Sequence, residues 1–157
     1  MEAFFNIAPL SLLGLIISFI CGGLIGLERR LSGKAAGIRT SILICVGAYA
    51  FVALSTEVAN NNSSDNSRVL GQIITGIGFL GAGVMLNRGK KTKGVTTAAV
   101  IWVLAGVGAF IGFNKFGAAI GLTLLTVFVL SILGRVENYI NNLLRKRQAD
   151  ANDDDDD

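Results

Sequence analysis

The chain has 157 residues, of which 52% are hydrophobic and only 16% charged, with a formal net charge of +3 at pH 7. Its apolar residues form long runs, which indicates a polytopic membrane protein and argues against a soluble domain. Histidine is absent, and the two cysteines, Cys21 and Cys45, both lie in apolar runs. We therefore expect no zinc site, no structural disulfide, no enzymatic activity and, since no motif supports it, no nucleic-acid partner.

Five apolar runs are predicted to be membrane spans, because each is near the ~20 residues that a helix needs to cross ~30 Å of hydrocarbon. In chain order they are approximately Ile7–Leu27, Ile38–Leu54, Val69–Leu86, Val95–Phe113 and Phe116–Leu133. The first run follows Glu2 where a signal peptide would have a basic segment, so we expect it to remain a helix. The predicted fold class is all-α, a five-helix integral membrane bundle in residues 1–134.

The basic residues predict the orientation of this bundle. Twelve of the fourteen follow the first, third and fifth spans, and the other two are Arg68 and Lys115. The twelve are Arg29, Arg30, Lys34, Arg39, Arg88, Lys90, Lys91, Lys93, Arg135, Arg145, Lys146 and Arg147. Because short loops rich in Lys and Arg stay in the cytoplasm, we expect the N-terminus outside and the C-terminus inside, against an anionic inner leaflet.

Four further segments connect or follow the spans. Asn60–Asn66 is predicted to be a flexible outer connector, and Asn114 with Lys115 a tight turn between the last two spans. Residues 135–148 have apolar side chains at helical spacing and a basic end, which predicts a tail helix that lies on the lipid surface or continues the fifth span. Residues 149–157 are predicted to be a disordered acidic tail.

Glycines recur along most of the predicted spans at spacings that favour close helix packing. They serve either packing within the chain or contact with a second copy, and the sequence leaves both alternatives open. The glycines in question are Gly14, Gly22, Gly26, Gly78, Gly81, Gly83, Gly108, Gly112, Gly117 and Gly121.

An internal repeat is indicated by two short segments with similar order and spacing. Gly22-Gly23, Leu27-Glu28-Arg29 and Gly37-Ile38-Arg39-Thr40 correspond to Gly81-Ala82, Leu86-Asn87-Arg88 and Gly94-Val95-Thr96-Thr97. Each unit would be a span going inward, a basic loop and a span returning outward. Two such hairpins would be related by an axis along the membrane normal.

The repeat would bring two helix N-termini together at the cytoplasmic face. The residues of this candidate vestibule are Gly37, Thr40, Gly94, Thr96 and Thr97. The hydroxyl groups could cap the returning helices, or the positive helix ends with Arg39 could attract anions.

Glu28 is the only acidic residue that the sequence places at the end of a predicted span. A buried carboxylate without a partner is costly, and the available partners are Arg29 and Arg39. Two interpretations stay open: a structural ion pair that clamps the first hairpin, and a gate or coordinating carboxylate. Glu28 is accordingly the only candidate metal ligand near the membrane, and the metal itself stays unknown.

Four segments in this order resemble the membrane domain of the MgtC/SapB family. They are GGLIGLERR (Gly22–Arg30), AGIRTSIL (Ala36–Leu43), ITGIGFLGAGVML (Ile74–Leu86) and KGVTTAAVIWVLAGVG (Lys93–Gly108). The resemblance spans about Leu10–Leu133 and implies a multi-pass protein of the bacterial inner membrane. The motif residues carried over are Glu28, Arg29, Gly37, Arg39, Thr40, Gly78, Gly81, Gly83, Gly94, Thr97 and Trp102. Some relatives have Asn where this chain has Thr96, and longer members add a soluble C-terminal domain.

The resemblance implies two functions. One is a Mg²⁺-linked transporter, acting as a homo-oligomer, with Mg²⁺ as substrate or ligand and no other cofactor. The other is a regulatory protein in adaptation to low Mg²⁺ or acid stress, which binds a membrane partner such as an ATP synthase. The scarcity of carboxylates and the basic inner face argue against cation transport.

Overall fold

The computed structural model describes residues 8–62, 66–88 and 91–135. Its five α-helices are α1 (Leu12–Leu31), α2 (Ile38–Asn62), α3 (Asn66–Gly83), α4 (Val95–Gly112) and α5 (Phe116–Phe128), the last continued by a π-helical turn at Val129–Leu133. Two three-residue strands, β1 (Leu86–Arg88) and β2 (Lys91–Lys93), pair antiparallel between α3 and α4. The predicted all-α bundle is confirmed, with this small hairpin as an addition within the described residues.

Four of the helical segments are long and apolar enough to cross a membrane. They are Leu12–Leu31, Ile38–Val58, Val95–Gly112 and Phe116–Leu133. Helix α3 is not among them, because Asn66, Arg68 and Gln72 lower its mean hydropathy. The apolar residues Val84–Leu86, which the sequence analysis included in the third span, follow the end of this helix in a turn and in β1. The orientation of the bundle stays a prediction.

The ends of α1 and α2 differ from the predicted spans. Helix α1 begins at Leu12, where the Ser11 hydroxyl accepts a hydrogen bond from the Gly14 N–H at 3.0 Å, and it runs to Leu31. Helix α2 continues to Asn62, so the first part of the predicted flexible connector is helical. Polarity alone does not end a helix, and the chain has neither glycine nor proline between Gly47 and Gly71.

Two helices end in the same hydrogen-bonding pattern. At the end of α1, Gly33 has φ +63°, and the N–H groups of Gly33 and Lys34 donate to the carbonyls of Arg30 and Arg29. At the end of α4, Asn114 has φ +57°, and Lys115 N–H donates to the Phe110 carbonyl at 2.8 Å. Such a left-handed residue satisfies the last carbonyls and reverses the chain. The tight turn predicted between α4 and α5 is thereby confirmed.

Helix α2 lies between α1 and α4 and packs against both, whereas α5 contacts α1 and α4, and α3 packs mainly on α4. The core between them is apolar, with Ile25 of α1, Val52 of α2, and Leu104 and Val107 of α4 fully buried. Helices α2 and α4 therefore form the centre of the bundle, and α3 and α5 lie at the periphery.

The structure divides the ten glycines into two groups. Three glycines of α1 lie too close to α2 to carry a side chain. A Cβ added to Gly14 would stand 2.5 Å from the Tyr49 ring. A Cβ added to Gly22 would stand 2.9 Å from Ile42 Cα, and one added to Gly26 would stand 2.6 Å from Ile38 Cα. On Gly108 it would meet the carbonyl of Cys45, and on Gly112 it would stand 2.5 Å from Val52 Cβ. These five glycines allow α1 and α4 to approach α2. Gly81 makes ordinary contact with Ala98, whereas Gly78, Gly83, Gly117 and Gly121 have no neighbour within 4 Å.

The two predicted repeat units share some features and differ in others. In both, a helical hairpin is formed, and the return helix starts after a glycine, Gly37 or Gly94. The corners differ, since α1 continues through Leu27-Glu28-Arg29 whereas the corresponding residues Leu86–Arg88 form β1. The predicted tail helix lies outside the described residues beyond Arg135, as does the acidic tail.

Candidate functional site

Arg29 and Thr97 join the end of α1 to the first turn of α4. Arg29 Nη2 donates a hydrogen bond of 2.7 Å to Thr97 Oγ1. Both residues are buried, with 3% of Arg29 and 5% of Thr97 exposed. A charged donor taken out of water needs a hydrogen-bond acceptor. This bond therefore stabilises the contact between α1 and α4, although its two residues are 68 positions apart in the chain.

Glu28 lies beside Arg29 and is also buried, with 9% of the residue exposed. Its Oε1 accepts a hydrogen bond of 2.7 Å from the Ser32 hydroxyl, one helical turn further on. Among the described residues, its Oε2 has no hydrogen-bonding partner, and neither has Arg29 Nε. The end of α1 therefore holds two opposite charges of which each is only partly satisfied.

The structure separates the residues of the predicted vestibule. Arg39, Thr40 and Thr96 are exposed, whereas Thr97 is buried and bonded to Arg29. Within the described part of the chain the Glu28 carboxylate bonds to Ser32, and Arg39 is not brought to it. The partner that Arg29 does find is Thr97, which the sequence indicated as a helix-end hydroxyl and a family-motif residue but not as a partner of Arg29.

The glycines of the vestibule begin the two return helices. The Gly37 carbonyl accepts from the Ser41 N–H, and the Gly94 carbonyl accepts from the Ala98 N–H. Gly94 has φ +93°, and no side chain caps α4. A Cβ on Gly94 would meet the carbonyl oxygen of Val84 at the end of α3, so this position requires glycine for both conformation and space.

The residues near Glu28 are a poor match for a dedicated metal site. Among the described residues, no group of three or more His, Cys, Asp or Glu side chains could hold a metal ion. Glu28 is a single carboxylate, one of its oxygens bonds to Ser32, and the guanidinium of Arg29 is adjacent. Protein Mg²⁺ sites use one or two carboxylates and retain water, but a neighbouring positive charge weakens such binding.

A second surface lies between α4 and its neighbours α3 and α5. A cavity of about 210 Å³ opens between α3, α4 and α5, and its walls are almost entirely apolar. Side chains from all three helices line it, including Leu70, Ile73, Trp102, Val103, Phe110 and Leu122. We call it the α3–α4 groove. Trp102 lies at this groove and is 55% exposed.

Trp102 lies near the middle of a helix that is long and apolar enough to cross a membrane. At 1.5 Å per residue it lies about 10 Å along α4, a helix of about 27 Å, and so near the middle of this span. Tryptophan in membrane proteins is enriched at the water interfaces. Within the described residues, the indole Nε1–H of Trp102 forms no hydrogen bond. In the sequence, Trp102 stands out as a residue of the family motif, and no local pattern indicates its role.

The exposed residues of α3 include polar as well as apolar side chains. Gln72 and Thr75 are exposed there, on the side away from the half-buried Leu70 and Ile73. The Thr75 hydroxyl donates to the Gly71 carbonyl at 2.9 Å. The side chain of Gln72 forms no hydrogen bond within the described residues.

Comparison with known proteins finds relatives over most of the chain. The model of the MgtC family matches residues 15–139. An uncharacterized protein of Synechocystis sp. is 37% identical over 132 residues, which are 84% of this chain and 56% of that protein. Protein MgtC of Salmonella paratyphi A is 34% identical over 139 residues, 88% of this chain and 59% of the relative.

Protein MgtC of Brucella abortus is 41% identical over 115 residues, covering 73% of this chain and 46% of the relative. The chain thus spans roughly half the length of the curated relatives it matches. No solved structure matches the chain.

Proposed function

Because this chain belongs to the MgtC family, we propose that it is a regulatory membrane protein that binds a transmembrane helix of another membrane protein. The single observation that supports this most is Trp102, whose indole N–H has no partner among the described residues and lies at the α3–α4 groove in the middle of α4. A polar group without a partner in hydrocarbon is unfavourable. A helix from a partner protein supplies what lipid tails do not, namely a hydrogen-bond acceptor.

The α3–α4 groove is suited to one such helix. Its apolar walls accept an aliphatic or aromatic side chain, and an oxygen of the partner accepts the hydrogen bond from Trp102 Nε1–H. The small residues of the neighbouring outer face of α3, with Gly71 and Gly78 open to close approach, add contact area. Gln72 offers a second hydrogen-bonding group there.

The proposal places the protein in the inner membrane of a bacterium. Three observations support this: the four membrane-compatible helices, the basic loops that are predicted to lie on the cytoplasmic side, and the bacterial origin of the relatives. An ATP synthase is one partner that the family resemblance implies, and regulation of such a machine fits a role in stress adaptation.

Site-directed photocrosslinking tests this proposal. A photoreactive amino acid at position 102 is expected to capture a membrane protein in native membranes. The same amino acid at position 51 is the matched control, because Phe51 is 63% exposed on α2, away from the groove. The captured protein is identified by mass spectrometry and then purified and recombined with this protein. Equal capture from both positions, or none from the purified pair, would contradict the proposal.

Mg²⁺-linked transport is the second candidate function, and the unpartnered Oε2 of Glu28 favours it. In proteoliposomes that contain this protein alone, transport predicts Mg²⁺ entry, reported by an internal fluorescent indicator. Glu28→Gln should abolish this entry. Glu57→Gln, at an exposed position near the C-terminal end of α2, should leave the entry unchanged. No flux from a correctly folded preparation would reject transport.

A further inference from the structure

The corner between α1 and α2 exposes positive charge with no exposed carboxylate beside it among the described residues. Arg30, Lys34 and Arg39 are all exposed there. Of the two acidic residues that the structure describes, Glu28 is buried and Glu57 lies near the other end of α2. Within the same part of the chain, the side chains of Arg30 and Arg39 form no hydrogen bond or ion pair. The corner therefore favours an anionic ligand.

Arg30 and Arg39 lie on the same side of the contact between α1 and α2. On that side, a Cβ added to Gly23 would stand 3.8 Å from the side chain of Ile42. Arg30 follows Gly23 by seven residues and so lies on the same face of α1, and Arg39 precedes Ile42 by three residues and so lies beside it on α2. Both arginines thus stand at the helix ends above the point where Gly23 faces Ile42.

The surface that leads away from these arginines along the two helices is apolar. It consists of Phe19, Gly23 and Leu27 of α1 and Ile42 of α2, and we call it the α1–α2 seam. Phe19 is 59% exposed, and Gly23 leaves the seam open because it has no side chain. Since α1 and α2 are both long and apolar enough to cross a membrane, the seam lies at the depth of lipid acyl chains and the arginines lie at the depth of the headgroups.

We propose that the α1–α2 seam binds one anionic phospholipid. Arg30 and Arg39 bind the phosphate, because a guanidinium pairs with two phosphate oxygens at once, and Lys34 in the intervening loop adds a third positive charge. An acyl chain of the same lipid lies along the seam and covers the open position at Gly23.

Charge and shape together favour this ligand over the alternatives. A cation is repelled by the three basic side chains, and a free phosphate would bind the arginines but leave the seam uncovered. A zwitterionic lipid fits the seam but has no net charge to match the corner. The site is also more specific than the general attraction of basic loops to an anionic leaflet, because it needs two arginines on one side of the hairpin and space at Gly23. It does not depend on the α3–α4 groove.

Native mass spectrometry of the full chain, released from micelles with added phosphatidylglycerol or phosphatidylcholine, tests the charge requirement. We expect one phosphatidylglycerol to be retained in preference to phosphatidylcholine. Changing Arg30 and Arg39 together to glutamine should weaken this retention about 30-fold. The matched control is the pair Arg68→Gln and Lys115→Gln, which removes the same charge from exposed positions at the other end of the bundle and should leave retention unchanged.

A second pair of variants tests the seam itself. Gly23→Leu fills the seam while both arginines remain, so it should also weaken retention of phosphatidylglycerol. Gly117→Leu is the control, since it places the same side chain where a Cβ has no neighbour within 4 Å. Circular dichroism in the same detergent shows whether each variant keeps its helices.

Four results would overturn the proposal. They are equal retention of the two lipids, equal loss in the two charge variants, full retention by Gly23→Leu, and displacement of the lipid by inorganic phosphate alone. Retention that appears only after Asp153–Asp157 are changed to asparagine would overturn it as well, because the chain's own acidic residues would then be the ligand of the arginines. None of these results bears on crosslinking at position 102, so the two proposals fail independently.

Discussion

The phenol ring of Tyr49 lies so close to Gly14 that a Cβ at position 14 would stand 2.5 Å from both Cζ and Oη of the tyrosine. The Tyr49 hydroxyl accepts a hydrogen bond of 2.7 Å from the Ser11 N–H and contacts the Ser11 carbonyl at 3.2 Å, to which it donates. The missing side chain of Gly14 therefore allows α2 to hold the beginning of α1.

Gly14→Ala is expected to destabilise the fold. The added methyl group displaces the ring of Tyr49, and overpacking of this kind costs about 1–3 kcal/mol. Gly117→Ala is the control, because nothing lies within 4 Å of a Cβ at that position in α5, and alanine favours a helix over glycine. Reversible unfolding in detergent, followed by circular dichroism, measures both. Equal stability of the two variants would show that Tyr49 does not restrict position 14.

Thr97→Val is expected to lower the free energy of unfolding by about 1–3 kcal/mol, the usual cost of leaving a buried group unpaired. Valine has nearly the same shape but accepts no hydrogen bond from Arg29 Nη2. Thr96→Val serves as the control, because Thr96 is exposed. The same unfolding assay reports the difference. If both variants lose equal stability, the Arg29–Thr97 bond does not stabilise the bundle.

Gly94→Ala is expected to disturb the junction between β2 and α4. The left-handed backbone, at φ +93°, disfavours alanine by about 1–2 kcal/mol, and the contact with the Val84 carbonyl adds to that. Gly37→Ala is the matched control at the start of α2, where a Cβ meets nothing within 4 Å. Thermal unfolding distinguishes them, and a milder effect at position 94 than at position 37 would be inconsistent with this geometry.

Trp102→Phe is expected to weaken partner binding without loss of stability. Phenylalanine keeps the aromatic ring at the α3–α4 groove but lacks the N–H. A hydrogen bond between transmembrane helices is worth about 1–2 kcal/mol in model peptides, so the affinity should fall about tenfold, which corresponds to 1.4 kcal/mol. Titration of the reconstituted partner measures the affinity. Phe110→Leu, which also changes the groove but no polar group, should have a smaller effect.

The identification of the helices depended mainly on local information. Apolar length alone indicates a membrane span, and four of the five predicted runs correspond to membrane-compatible helices. Helix α3 is the exception, since polar residues at its start and the strand at Leu86–Arg88 shorten its apolar part. In the sequence, the run of apolar residues continues through Val84 and Met85, whereas the helix ends at Gly83.

The candidate site was predicted only in part. Glu28 and Arg29 stood out as charges at the end of a span, and both are buried. The sequence offered Arg29 and Arg39 as partners of Glu28, but the Glu28 carboxylate bonds to Ser32. The side chain that Arg29 reaches is Thr97. No local pattern indicates a contact across 68 residues.

By itself, then, the sequence determined the membrane class, the approximate spans and the family, because these depend on composition and on motifs within short segments. Only the tertiary structure decided which glycines are contacts and which are open. Gly14 and Gly117 are both small residues in apolar helices, yet one lies under Tyr49 and the other faces open space. The reason is physical: helices that are apolar on all sides carry little information about their own rotation. Their faces are assigned only when neighbouring helices pack.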